Sequence, residues 1–402
     1  MTVSRLRPFG ETIFATMSRL ASERNAINLG QGFPDWDGPR EMLDAAQKQI
    51  AIGTNQYAPS RGFQVLRDAI VADRARRTGQ SYDADTECLV TVGATEAIAA
   101  SVLGHVEPGA DVIIIEPYYD AYVAAIALAG ATYTSVPLIP RASEPSESEN
   151  IWELDREALA QAVGPGTAMI IINSPHNPTG SVLSDADLSA IAEVAIAQDT
   201  IVLADEVYER LYFDGGEHRS IASLEGMRER TIVVSSAAKT FNVTGWKTGW
   251  ALAPKELLDG VAKAKQFLTY VGASPMQPAV AVGLNECTEW VNELSQKLQR
   301  NRDALSAGLT SLGATVYESA AGYFVVADVR SWGLGDAKET CLALVRDFGV
   351  AAIPVTAFVD DPESEDYRYL VRFTFCKTRG VIEQALTNIK MGLAERNGTY
   401  QI

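Results

Sequence analysis

Ser235-Ser236-Ala237-Ala238-Lys239-Thr240-Phe241-Asn242-Val243-Thr244-Gly245-Trp246-Lys247 follows the β-branched apolar run Ile232-Val233-Val234. The run reads as a buried strand, so Lys239 lies just past a strand's carboxyl end, where α/β sheets receive ligands. Small residues precede the amine, and the Thr-Gly-Trp turn returns a second cation, Lys247, toward it. An amine suited to a Schiff base, a hydroxyl at Ser236 and a cation for an anionic group together fit pyridoxal phosphate. Taken alone, the same lysine reads equally well as a solvated surface residue.

Composition narrows the choice. The chain has 402 residues, of which 47% are hydrophobic and 21% charged, enough for a large core and for two domains. A net charge of -17 opposes binding to the phosphate backbone of nucleic acid, and no cluster of Lys or Arg offsets it locally. Cys88, Cys287, Cys341 and Cys376 are widely spaced and form no metal-ligand pattern, so reduced thiols and no metal are expected. The opening Met1–Arg7 lacks the apolar core of a signal peptide, and no run of about 18 apolar residues offers a membrane span. A cytoplasmic protein is the expectation.

Strand patterns at Leu89–Val92, Val112–Ile115, Met169–Ile172 and Ile201–Ala204 alternate with helical ones, as around Leu188, Ile191 and Ala195. That alternation predicts an α/β fold with a mostly parallel sheet covered on both faces. After about residue 285 a long helical pattern through Trp290, Leu294, Leu298 and Leu305 precedes strand-like Tyr323–Val326 and Tyr369–Phe375. A smaller α+β domain is expected there. The expected division is an N-terminal arm with part of the small domain at 1–45, a large domain at 46–285 and the small C-terminal domain at 286–402. The glycines and proline of Ile27–Asp35 predict an irregular loop, and the polar stretches 141–150 and Asp360–Asp366 predict surface loops.

Each predicted strand ends in polar chemistry. Gly93-Ala94-Thr95 opens a helix, whose free amides and dipole would favour a phosphate at Ala94 and Thr95, although small residues there also serve close packing. Tyr118, Tyr119 and Tyr122 could stack on a planar ring or simply pack at the rim. Asp205 closes an apolar run and needs a partner such as a protonated pyridine nitrogen; a helix N-cap is the ordinary alternative. Asn177 and Tyr208 would reach a phenolate-like oxygen of the same ring, and Asn177-Pro178 invites a cis peptide. Arg372 shares a strand face with Leu370 and Thr374, which suits carboxylate binding or an exposed ion pair.

Seven motifs in order span nearly the whole chain: Asn28-Leu29-Gly30-Gln31-Gly32-Phe33-Pro34-Asp35, Asn55-Gln56-Tyr57, Val92-Gly93-Ala94-Thr95-Glu96-Ala97, Asn173–Gly180, Asp205-Glu206-Val207-Tyr208, Ser236–Lys247 and Val371–Phe375. Together they resemble the class I/II aminotransferases of pyridoxal-phosphate fold type I. The likeness is greatest to the branch of kynurenine and glutamine-phenylpyruvate aminotransferases and to actinobacterial N-succinyldiaminopimelate aminotransferases.

The resemblance implies that Lys239 carries pyridoxal 5'-phosphate as a Schiff base, with Asp205 on the pyridinium nitrogen and Asn177 and Tyr208 on the ring oxygen. Tyr119, with Tyr118 as the alternative, would stack on the ring. Ala94, Thr95, Ser236 and Lys247 would hold the phosphate together with Tyr57 from the second subunit of a homodimer. Arg372, helped by the backbone at Gly32, would clamp the substrate carboxylate. Many relatives carry arginine where this chain has Lys247, so a bidentate contact becomes a point charge.

The implied activity is ping-pong amino transfer between an L-amino acid and a 2-oxo acid, with N-succinyl-LL-2,6-diaminopimelate, a lysine-biosynthesis intermediate, as candidate donor. Alternatives are an aromatic or sulfur amino acid donor, favoured if Phe14, Phe33, Tyr270 and Phe358 line the pocket, and a cysteine-conjugate β-lyase. A non-catalytic regulator of the same fold would need a basic DNA-binding segment, and none stands out.

Overall fold

The computed structural model describes residues 2–141 and 151–396, so most of the stretch expected as a surface loop at 141–150 lies outside the described residues. Arg141 itself ends a strand. In chain order the strands are β1 (Ile27–Asn28), β2 (Cys88–Val92), β3 (Asp111–Glu116), β4 (Thr132–Arg141), β5 (Ile151–Leu154), β6 (Thr167–Asn173) and β7 (Ile201–Asp205). They continue with β8 (Thr231–Ser236), β9 (Thr248–Leu252), β10 (Thr315–Val316), β11 (Phe324–Asp328), β12 (Val350–Ala351), β13 (Ile353–Pro354) and β14 (Leu370–Thr374).

Eight of them form one sheet in the order β2-β9-β8-β7-β6-β3-β4-β5. The contiguous run from β8 through β7, β6 and β3 to β4 is parallel; β9 and β5 run against it, and edge strand β2, antiparallel to β9, shares the direction of the run. Alternation of side chains explains the two-faced burial. Val112, Ile114, Met169, Ile171 and Leu203 pack with the helix Gly93–His105 on one face, while Ile113, Ile115, Ile170, Ile172 and Val202 pack with the helix Asp185–Ala197 on the other. The second helix starts at a capping box, Ser184 with Asp187, which satisfies amides that the helix cannot.

The chain leaves β3 toward β4 on one side and β6 toward β7 on the other, so the strand order switches between β3 and β6. A crevice forms outside the carboxyl ends of strands at such a switch. The register places Asn173 of β6 opposite Asp205 of β7, bringing two polar residues to the same rung at that rim.

A second, antiparallel sheet has the order β10-β11-β14-β13 and packs one face on the long helix Thr288–Ser311. The N-terminal segment joins it. Met17, Ala21 and Leu29 enter the same cluster as Leu298, Val350 and Phe375. Residues 27 and 28, expected as part of an irregular loop, instead form β1, parallel to β12: the loop's glycines begin only at Gly30, and Ile27 is free to pair. Among the described residues no helix is long and apolar enough to cross a membrane.

Leu298 is fully buried at the centre of this second cluster. Leu298→Ala is expected to destabilise the protein by about 2–5 kcal/mol, the usual cost of lost transfer energy plus a cavity, read as a lower urea midpoint at unchanged slope.

Candidate functional site

A cavity of about 370 Å³ opens at the carboxyl rim of the large sheet. Its wall includes Gly32, Ala94, Thr95, Tyr119, Asn177, Asp205, Tyr208, Ser236, Lys239, Lys247 and Arg372. Residues as far apart in sequence as Gly32 and Arg372 meet there because β3, β6, β7 and β8 all end at this rim and β14 approaches from the second sheet.

β8 runs into the short helix Ala237–Thr240, which Ser236 caps by accepting from the Ala238 amide at 3.1 Å. Lys239 extends from that turn and donates to the Gly32 carbonyl at 3.1 Å. Burial lowers its amine to about 8, and the neighbouring Arg372 adds to the shift. Asp205 shows the opposite effect: burial raises its carboxyl to about 6, partly offset by the Tyr122 hydroxyl, which donates to Oδ2 at 2.7 Å. The alternative of a helix N-cap does not hold, because residues 207–210 form a turn and, among the described residues, Asp205 Oδ1 accepts from the Val207 amide, at 3.3 Å.

Arg372 is buried in β14 between β11 and β13. Its Nη1 donates to Asn177 Oδ1 at 2.8 Å and its Nη2 to the Gly30 carbonyl at 2.6 Å, while Nε has no protein partner. Its guanidinium carbon lies 3.9 Å from the centre of the Phe324 ring, with Phe14 and Phe358 further out. Burial lowers it to about 10, so it stays charged at neutral pH. Asn173 holds the opposite wall, donating to the Asp205 carbonyl at 2.9 Å and accepting from the Asn177 amide at 2.7 Å. The Asn177–Pro178 bond is cis.

At the other end, Gly93 begins its helix at φ +72° and Lys247 adopts φ +50°. A Cβ on Gly93 would lie 3.1 Å from Lys247 Nζ. The absent side chain leaves a cradle formed by an ammonium and the first-turn amides of the helix. Gly249 permits the same approach from beneath, since a Cβ there would strike the Gly93 carbonyl carbon at 2.5 Å.

Some expected residues lie elsewhere. Tyr57 is 81% exposed and rests edge-on against Tyr270, outside its own chain's cavity. Tyr118 turns away and donates to Asp360 at 2.8 Å. Phe14 and Phe33 line the cavity, whereas Phe358 is buried behind Phe14 and Tyr270 is at the surface. Sequence reasoning missed the roles of Tyr122, Asn173 and Phe324. Tyr122 had a signal, its place one helical turn after Tyr119.

A profile of the family described as aminotransferase class I and II matches residues 24–389. The probable N-succinyldiaminopimelate aminotransferase DapC of Mycobacterium tuberculosis is 52% identical over 99% of this chain and 100% of its own. A solved structure of N-succinyldiaminopimelate aminotransferase from the same organism superposes with a TM-score of 0.94, covering 98% of this chain and 100% of that one, at 52% identity. A kynurenine–oxoglutarate transaminase of Dictyostelium discoideum is 36% identical over 95% of this chain and 94% of its own. With a family match over most of its length and full-length relatives of this similarity, the chain belongs to the class I and II aminotransferases, a fold type I family, and is a transaminase.

Proposed function

We propose that this transaminase takes its amino group from N-succinyl-LL-2,6-diaminopimelate and uses pyridoxal 5'-phosphate held in the cavity of Lys239 and Asp205. The observation that carries the cofactor reading is a lysine lowered to about 8 and a carboxylate raised to about 6 in one cavity. The donor is supported by 52% identity along the whole chain to the Mycobacterium protein of that name.

The donor set fits the group. A cradle of helix amides, Ser236 and Lys247 suits a phosphate, and the desolvated Asp205 suits a protonated ring nitrogen, whose charge would offset the cost of burying the carboxylate. Bound there, pyridoxal phosphate supplies an aldehyde that condenses with amines and a ring that accepts the electron pair left at Cα.

The chain's own groups do the rest. Burial pushes the Tyr208 hydroxyl well above its ordinary value, so it remains a neutral donor toward the ring oxygen. Because Asn177 Oδ1 is engaged by Arg372, its Nδ2 is left to donate toward the same oxygen. Tyr119 offers a ring face beside Thr95. Arg372 has spent two of five N–H donors on Asn177 and Gly30, leaving three for a substrate carboxylate, with the Gly32 backbone adjoining. Lys239 would hold the cofactor, and its lowered amine would take and return the Cα proton.

Phe14 and Phe33 at the cavity favour a second donor reading, an aromatic or sulfur amino acid. The deciding experiment follows the absorption band of the lysine-bound cofactor while single donors are added. N-succinyl-diaminopimelate is expected to abolish the band and a 2-oxo acid to restore it; loss with kynurenine or methionine alone would replace the donor. A band that never forms with added cofactor would remove Lys239 from its role.

The lowered amine makes its own prediction. In cofactor-free protein, acylation of Lys239 by limiting acetic anhydride should rise with pH about a midpoint near 8, whereas ordinary lysines titrate near 10.4. Peptide mapping by mass spectrometry reads this, with Lys239→Met as the blank.

We also infer a homodimer in which Tyr57 completes the partner's phosphate cradle. Support comes from the exposed apolar side chains in and near its loop: Tyr57, Ile52 at 65% and Phe267 at 89%. Sedimentation should give a dimer for both parent and Tyr57→Phe, while the variant binds cofactor about 10-fold more weakly, as expected for a lost hydrogen bond to a charged group. A monomeric parent would exclude the shared site.

A further inference from the structure

Behind the turn that carries Asp205 and Tyr208 lies a buried ionic cluster that the chemistry above does not use. Glu206 and Glu209 alternate with those two residues and face the helix Gln64–Thr78 rather than the cavity. A single nitrogen of that helix, Arg74 Nη1, donates to Glu206 Oε2 at 2.7 Å and to Glu209 Oε2 at 2.8 Å. The three side chains are 2%, 4% and 3% exposed.

The surrounding groups complete the charge balance. Arg77 bonds Glu209 and Asp73, and Arg210 bonds Asp73, so Arg74, Arg77 and Arg210 face Asp73, Glu206 and Glu209. Half-exposed Arg76 adds a contact to Asp73 at the edge. Ser220 and His218 bond Glu206, and Ser235, one residue before the cap of the Lys239 turn, donates to Glu209 at 2.6 Å. Glu206, Glu209 and His218 bring their ligand atoms within 4.8 Å of one another, as a metal site would. Arg74 already stands between the two carboxylates, so the cation of this cluster is a guanidinium.

Residues 206–210 lie in neither a helix nor a strand, and few backbone bonds hold them: Glu206 to the Val234 carbonyl, Glu209 to Glu206 and Leu211 to Tyr208. Side-chain anchors on both sides of Tyr208, together with its own packing against Tyr323 and Phe324, therefore set where its hydroxyl lies. We propose that Arg74 is a positioning residue for the transamination site. By gripping Glu206 and Glu209 together, it fixes the Asp205–Tyr208 turn against the strand leading to Lys239, so carboxylate and hydroxyl meet the cofactor at set places. Loss of the grip leaves Arg77 and Arg210 facing three carboxylates, so one buried negative charge is unmatched and the turn shifts to hydrate it.

This inference rests on the cavity being a pyridoxal-phosphate site, and the experiment separates the two. Full-length parent, Arg74→Met and the milder Glu209→Gln are compared for amide hydrogen exchange over residues 205–211 without cofactor. Cofactor affinity and the pH midpoint of the lysine-bound cofactor's absorption band are then measured. Arg74→Met is expected to exchange about 10-fold faster in that segment, with β11 unchanged, and to bind cofactor about 10-fold more weakly. Its midpoint should move upward by about half a unit, because a displaced Tyr208 no longer stabilises negative charge on the ring oxygen.

Glu209→Gln should follow in the same directions with smaller shifts, and it carries the comparison alone if Arg74→Met does not fold. Faster exchange with unmoved affinity and midpoint would overturn the positioning role, as would unchanged exchange. A parent that binds no cofactor would overturn the cavity reading instead, and the exchange comparison would still decide whether Arg74 anchors the turn.

Discussion

Removing ionisable groups from water at the carboxyl edge of a parallel sheet is the constraint around which this molecule is arranged. An amine, a carboxylate and a guanidinium sit there with little solvent, and each departs from its ordinary protonation range for that reason. The departures remain tolerable because partners are supplied. Tyr122 answers Asp205, the Gly32 carbonyl answers Lys239, and Asn177, Gly30 and the ring of Phe324 answer Arg372. The eight-stranded sheet makes the dry floor; the four-stranded sheet contributes the guanidinium.

The two sheets are joined through the same polar groups. Arg372 belongs to β14, yet its bonds reach Asn177 beyond β6 and Gly30 beyond β1. Tyr118, Tyr133 and Ser135 from the large sheet all donate to Asp360, which follows Phe358 on the other side. The two sheets are therefore mechanically continuous at this rim, since Asn177, beyond β6, holds the guanidinium of β14.

Much of this could be read in the chain because strands and function coincide. Lys239, Asp205 and Asn177 follow apolar runs closely, so the strand ends and the polar lining of the cavity coincide in the sequence, and Arg372 stands out as a charge inside a strand. What escaped is the pairing of residues far apart in the chain, even where a local pattern, as at Tyr122, marks the position. Tyr122 reaches Asp205 across 83 residues, and Arg74 reaches Glu206 across 132. The register that sets Asn173 opposite Asp205 is likewise a property of the assembled sheet. Asp205 lost its expected helix because the chain turns there, and β1 was hidden by the glycines that follow it.

Phe14, Gln31 and Phe33 bring to the cavity a wall from the N-terminal segment, which packs on the second sheet and not on the strands bearing Lys239 and Asp205. That separation divides the lining of the cavity between two supports. The side chains of Phe14 and Phe33 can therefore change without touching the partner of Asp205, whereas the backbone at Gly32, which receives Lys239, ties this segment to the opposite wall.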